Sequence, residues 1–172
     1  MDGSERAGRP PRRLLVTRLR YLGDVILTIP AVEALRECLP EAEIHYLAER
    51  PYHEALLGHP AIDGVIPLGR GFRGQVRAVR TLRRLRFDAA IDLFYNPRSA
   101  NLLRLAGMPV RIGGGRKWRR RLYTRVVDRP TDDPGAIAHH LRFVEALGCE
   151  GRARRPRVHL DEQERAARAP LA

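Results

Sequence analysis

Arg18, Arg20 and Asp24 stand within seven residues of one another in the stretch RRLLVTRLRYLGDVILTIPAVEALRE. An ionised carboxylate that a substrate hydroxyl can reach accepts its proton and acts as a general base. Arginines beside it bind phosphate or carboxylate through paired N–H donors. Gly23, immediately before Asp24, lets the backbone approach such a ligand closely. The same residues admit a purely structural reading. A carboxylate in the first turn of a helix is stabilised by the macrodipole and by unpaired backbone N–H groups, with no substrate involved. The residues alone leave both readings open.

Further basic sets fall at recurring places. Arg98-Ser99 opens a helical segment after the run DAAIDL, and Arg111 and Arg116 flank Gly113-Gly114-Gly115. Consecutive glycine N–H groups can form an anion nest. This run lacks the GxGxxG spacing and the lysine-serine ending of nucleotide loops, so it reads more simply as a flexible turn. Arg77, Arg80, Arg83 and Arg84 surround an apolar stripe of Val76, Val79, Leu82 and Leu85. Such a face suits solvent, or equally anionic lipid headgroups. The histidines show no metal-ligand spacing, and His139-His140 project in different directions from one helix. There is no GxSxG elbow. No metal site is expected. Cys38 and Cys149 are too few and too distant for a disulfide framework or zinc cluster, and Cys38 reads as a small packed hydrophobe.

The elements that must position these residues alternate. Leu14–Thr17 is a first strand, followed by a basic loop and a long helix opening at Gly23-Asp24. Ile44–Ala48, Val65–Leu68, Asp88–Leu93 and Val110–Ile112 are further strands. A helical turn is read at Pro51–Leu57, a glycine-rich basic loop at Gly69–Gly74, and helices over 75–86, 97–106 and 136–147. Asn96 is the N-cap of the helix over 97–106, with Pro97 at its favoured first position. Strand–helix alternation at this spacing predicts an α/β, Rossmann-like, doubly wound and mostly parallel sheet of five or more strands. In such sheets ligands bind outside the carboxyl ends of the strands, where Asp24 falls. Residues 1–11 read as a disordered lead-in, 12–150 as the domain, and 151–172 as a linker running into another helix.

Composition narrows the partners. Of 172 residues, 32 are basic and 20 acidic, giving +12, and Lys117 is the only lysine. That charge attracts polyanions: nucleic acid, an anionic membrane or a phosphorylated substrate. The Arg116–Arg125 segment, with Trp118 and Tyr123 interleaved, keeps open a non-enzymatic module binding nucleic acid or anionic membrane, although no recognised nucleic-acid motif appears. No signal peptide or stretch of about 20 apolar residues is present, which points to the cytoplasm.

The ordered blocks resemble glycosyltransferase family 9, the lipopolysaccharide heptosyltransferases. The likeness begins at LLVTRLRYLGDVILTIPAVEALRECLPEAEIHYLAE and continues through AIDGVIPL and FDAAIDLFYNPRSANLLRLAG. It then runs through VRIGGG and HHLRFVEALG, spanning about residues 13–160. The resemblance implies the N-terminal, acceptor-binding half of a glycosyltransferase B architecture. It implies inverting transfer of a sugar, heptose in the best-known members, from a nucleotide-diphosphate sugar such as ADP-heptose to a lipid-linked anionic core oligosaccharide. No metal or other cofactor is implied. Asp24 corresponds to the aspartate of the family's Gly-Asp loop, the general base for the acceptor hydroxyl. Arg18, Arg20, Gly23, Arg98, Ser99 and Arg111 are then the acceptor-binding candidates. Some heptosyltransferases carry small hydroxyl residues where this chain has Arg20-Tyr21-Leu22. The resemblance also implies a donor-binding domain beyond this one, an acceptor domain inactive alone, and peripheral contact with the cytoplasmic face of the inner membrane.

Overall fold

A computed structural model describes residues 10–115, 117–128 and 135–159. The lead-in read at 1–11 and the helix read into 161–172 fall almost wholly outside these residues, as does Arg116. The sheet is built from β1 (Arg13–Thr17), β2 (Glu43–Glu49), β3 (Gly64–Leu68), β4 (Ala89–Asp92), β5 (Val110–Gly113) and β6 (Arg125–Val126). All neighbouring strands pair in parallel, in the order β3-β2-β1-β4-β5-β6. This is the doubly wound arrangement, with the strand order reversing between β1 and β4. The two-residue β6 was not readable in the sequence, because it exists only through its pairing with Ile112 and Gly113.

Both faces of the sheet are covered, which explains why the strands read as nearly continuous apolar runs. Leu14, Val16, Ile44, Tyr46 and Ile91 point into a core shared with α1 (Leu22–Ile26), α2 (Ile29–Cys38) and α5 (Gly135–Glu145). Leu15, Leu47 and Ala90, at alternate positions, pack on α3 (Gly71–Leu85) and α4 (Pro97–Leu105). Two 3-10 turns, Tyr52–Leu56 and Lys117–Leu122, complete the connections.

Three expectations are corrected. The long first helix is two helices, α1 and α2. Pro30 lies in the first turn of α2, where its missing N–H costs nothing; inside one continuous helix its ring would meet the carbonyl of Ile26. The Thr28 hydroxyl donates to the Val25 carbonyl (2.7 Å) and receives Tyr46 Oη (2.6 Å), fixing the break. The basic loop read at 69–74 is mostly helix, since α3 already begins at Gly71, where φ is +67°. Finally, Cys38 is not a packed hydrophobe: it is exposed at the end of α2 and bonded to Cys149 in a disulfide spanning 111 residues. The packing of α2 against α5 brings the end of one helix to the turn after the other, a proximity that sequence separation conceals.

Candidate active site

The crevice where the sheet's strand order reverses is bounded by the segments after β1 and β4. Arg18, the first residue beyond β1, is held on several sides. Its Nη1 donates to the Leu93 carbonyl (2.8 Å), its Nε to the Arg20 carbonyl (3.0 Å), and its Nη2 lies 2.7 Å from Asp24 Oδ2. The guanidinium also sits 5.1 Å from the centre of the Phe94 ring, within cation–π range. Asp24 falls in the first turn of α1, but the N-cap there is Tyr21 and no side chain caps the helix. The capping role that the local pattern allowed is therefore not what the carboxylate does. It stays 39% exposed, and Arg18 is its partner among the described residues.

A second cluster lies beside it. Glu49 ends β2 with its side chain only 11% exposed and bridges two arginines: Oε1 is 3.1 Å from Arg20 Nε and also accepts from Arg98 Nη1. Arg98 reaches this point because Asn96 starts α4 with a complete capping box. The Asn96 side chain accepts from the N–H groups of Arg98 and Ser99, and Ser99 Oγ accepts from the Asn96 N–H. Arg20, Glu49 and Arg98 line an open cleft of about 530 Å³, together with Tyr21, Arg50, Tyr52, Arg70, Gly71 and Gln75. Four arginines face one carboxylate there, and the Tyr21 and Tyr52 rings meet edge-on at 6.2 Å. Positive clefts of this kind concentrate anionic ligands.

Beneath the crevice, Asp92 ends β4 wholly buried. Its Oδ1 accepts from the N–H groups of Phe94 (3.0 Å) and Tyr95 (2.9 Å), and its Oδ2 from the Tyr123 hydroxyl (2.7 Å). Burial pushes the Asp92 carboxyl up from its usual range while these donors pull it back. Burial and the neighbouring carboxylate hold the Tyr123 phenol well above its own. The turn so fixed carries Phe94 beneath Arg18. Behind α1, His140 Nδ1 lies 3.1 Å from the Leu27 carbonyl, and burial pushes its pKa down to about 4. A carbonyl only accepts, so the neutral ring carries its proton on Nδ1.

Of the residues singled out from sequence, the structure gathers Arg18, Arg20, Asp24 and Arg98 around the crevice and its cleft. A Cβ placed on Gly23 would meet nothing within 4 Å, so that backbone borders open space. Ser99 is fully buried in the capping box. Arg111 is not brought to the cleft: its guanidinium is spent on the carbonyls of Leu122 (2.8 Å) and Met108. Glu49, Asp92 and Tyr123 were missed. The first two had a signal, a carboxylate closing an apolar strand; Tyr123 had none beyond its place in a basic segment. Among the described residues, no group of three or more His, Cys, Asp or Glu side chains comes together to hold a metal ion.

Strand order and layering define the class, a Rossmann-like domain with the fold found in family 9 glycosyltransferases. The family 9 glycosyltransferase of Veillonella parvula superposes with a TM-score of 0.80 at 24% identity, over 93% of this chain and 48% of that one. ADP-heptose LPS heptosyltransferase II of E. coli follows at 0.70 and 22%, over 92% and 50%. E. coli heptosyltransferase WaaC, solved with ADP-2-deoxy-2-fluoro heptose, gives 0.66 and 22%, over 87% and 51%. In sequence the chain is 26% identical to lipopolysaccharide heptosyltransferase 1 of Salmonella typhimurium over 116 residues, 61% of this chain and 35% of that protein. No family model matches. The chain thus resembles glycosyltransferase family 9 in sequence and fold, and spans about half the length of the solved structures it matches.

Proposed function

We propose that this domain forms the acceptor side of an inverting glycosyltransferase. In this reading the enzyme transfers heptose from ADP-heptose to a lipid-linked, anionic core saccharide at the cytoplasmic face of the inner membrane. The observation that carries the reading is Asp24: a solvent-accessible, half-buried carboxylate at the reversal of the strand order, oriented by Arg18 beside an arginine-lined cleft. The names of the relatives supply the sugar and the acceptor.

The chemistry follows from the placement. Arg20 and Arg98, with Arg50 and Arg70, hold carboxylate or phosphate groups of the acceptor. Arg18 is already committed to two carbonyls and to Asp24, so it orients the base and leaves acceptor binding to the others. Asp24 takes the proton of the acceptor hydroxyl as that oxygen bonds to the anomeric carbon. The nucleoside diphosphate departs from the opposite face with the bonding electron pair, inverting the centre. The donor sugar nucleotide is bound by a second domain, and the arginines, with no cofactor, manage the acceptor's charge.

The test is transfer by the complete gene product, using ADP-heptose and a lipid-linked core acceptor. General-base catalysis contributes about 10²–10⁴-fold. Asp24→Asn and Asp24→Ala should lower kcat by that factor with unfolding midpoints and donor affinity preserved. Near-normal turnover in either variant removes Asp24 from the mechanism.

A further inference from the structure

We propose that the outer face of the α3–α4 layer is a docking surface for anionic phospholipid bilayers, with the arginine stripe of α3 as its electrostatic contact and exposed aromatic and aliphatic side chains as its anchors. On α3, Arg73, Arg77, Arg80 and Arg84 follow spacings of four, three and four residues. At about 3.6 residues per turn they form one stripe roughly 16 Å long. All four are exposed, and Ala78 and Leu82, buried against the sheet, lie on the opposite side of the helix. The helix contains no acidic residue, and none of the four makes an ion pair or side-chain hydrogen bond among the described residues. Like charges at these spacings destabilise a helix. A stripe that the fold leaves without a counterion is complementary to an external polyanion.

A lipid surface fits better than a nucleic acid because apolar groups accompany the charge. Phe72, in the first turn of α3, is 80% exposed. Arg83, eleven residues later and so on the same flank, donates to the carbonyl of Leu105 at the end of α4, and Leu105 is 57% exposed. α4 also contacts the 3-10 turn that carries Trp118, itself 55% exposed. Aromatic and aliphatic side chains beside arginines suit the boundary between headgroups and acyl chains. The surface is also continuous with the cleft, since Arg70 and Gly71 at the start of α3 line it. Docking would hold the cleft mouth at the bilayer, where a lipid-linked acceptor is presented. That last consequence rests on the function proposed above; the lipid contact itself does not.

The experiment is flotation of the protein with phosphatidylglycerol/phosphatidylcholine vesicles, against pure phosphatidylcholine vesicles and a random DNA duplex, across salt. A basic residue near an anionic surface contributes about fivefold in affinity. Arg77→Gln/Arg80→Gln/Arg84→Gln should therefore weaken binding to anionic vesicles by on the order of 100-fold. Arg152→Gln/Arg155→Gln/Arg157→Gln removes equal charge elsewhere and should leave most of the binding intact. Phe72→Ser should weaken binding further at salt that screens the charges. Neither triple variant should lower the unfolding midpoint, and turnover on a short soluble acceptor should survive loss of the stripe. Equal loss in both triple variants, wild-type binding to neutral vesicles alone, or tighter binding to duplex than to anionic vesicles overturns the proposal. If transfer fails but the stripe-dependent flotation holds, the functional reading falls and the lipid surface stands.

Discussion

Replacing Tyr123 with phenylalanine removes a hydroxyl donor from one oxygen of a wholly buried carboxylate. Asp92 Oδ2 has the Tyr123 hydroxyl at 2.7 Å, while Oδ1 takes both backbone donors. A hydrogen bond to a charged group contributes about 1.5–3 kcal/mol, and a buried charged acceptor that loses a donor it cannot replace with water costs more. Tyr123→Phe should therefore cost about 2–4 kcal/mol at neutral pH. For a domain of this size that lowers Tm by roughly 5–15 °C. The ring cannot slide to compensate, because it lies against Gly113 so closely that a Cβ there would fall 2.2 Å from it.

The pH dependence separates this account from simple loss of packing. Burial raises the Asp92 pKa in the folded state, so its contribution is fully present below the unfolded carboxyl pKa and is lost as pH rises through the folded value. Tyr123 and Ser99, with the Phe94 and Tyr95 N–H groups, oppose that rise by donating to the ionised form. Removing the phenol raises the folded pKa further, and the penalty of Tyr123→Phe grows with pH. In an Asp92→Asn background, Oδ1 keeps both backbone bonds and Nδ2 donates to a turned Tyr123 hydroxyl. Tyr123→Phe there should cost only about 1 kcal/mol and be independent of pH. Urea unfolding of the four proteins at pH 4, 6 and 8 closes the cycle. A cost below about 0.5 kcal/mol, or the same pH-independent cost in both backgrounds, refutes the reasoning, since that is the ordinary noise of additivity.

Other consequences are open to test. Glu49→Gln frees Arg20 and Arg98 from their shared carboxylate; binding of inorganic phosphate in the cleft, followed by titration calorimetry, should tighten severalfold, and unchanged affinity means that the pair does not govern the cleft's charge. His140 has a folded pKa depressed to about 4 by burial, opposed by its bond to Leu27 and set among Arg18, His139 and Asp24. Its stabilising contribution is thus present above the unfolded value near 6.5 and is lost as pH falls from there toward 4. His140→Gln should reduce the slope of stability against pH in that window by up to one proton, about 1.4 kcal/mol per pH unit.

Local signals were legible where local physics decides the outcome. The strands β1 to β5 announce themselves as apolar runs, and Asn96-Pro97 sets the start of α4 through contacts within three residues. The features that escaped depend on partners far along the chain. β6 is two residues long and takes its identity from β5. The Cys38–Cys149 bond requires α2 and α5 to lie together first. Glu49 and Asp92 look alike in sequence, each a carboxylate closing a strand. Burial beneath the crevice turns one into a backbone anchor, and two nearby arginines turn the other into part of the cleft. Arg111 looked like a ligand-binding arginine because it precedes a glycine run, yet its position on β5 brings carbonyls within reach and they take its donors.

The arginines show how one residue type is divided among tasks by its surroundings. Arg111 and Arg125 meet backbone carbonyls and act as tethers. Arg18 combines both kinds of acceptor, and the carbonyls that fix its geometry are what make its contact with Asp24 an orienting one. Arg20 and Arg98 share a single carboxylate, so two positive groups are left only half neutralised at the edge of a solvent-open cleft. The α3 stripe has no internal anion among the described residues. Neutralisation therefore decreases outward, from tethered Arg18 through the shared cleft pair to the bare helix face. Under the two proposals above, an anionic saccharide entering from a lipid surface would meet increasingly preorganised arginines as it approached Asp24. That order gives these seven arginines a direction toward Asp24, with each step separable by substitution.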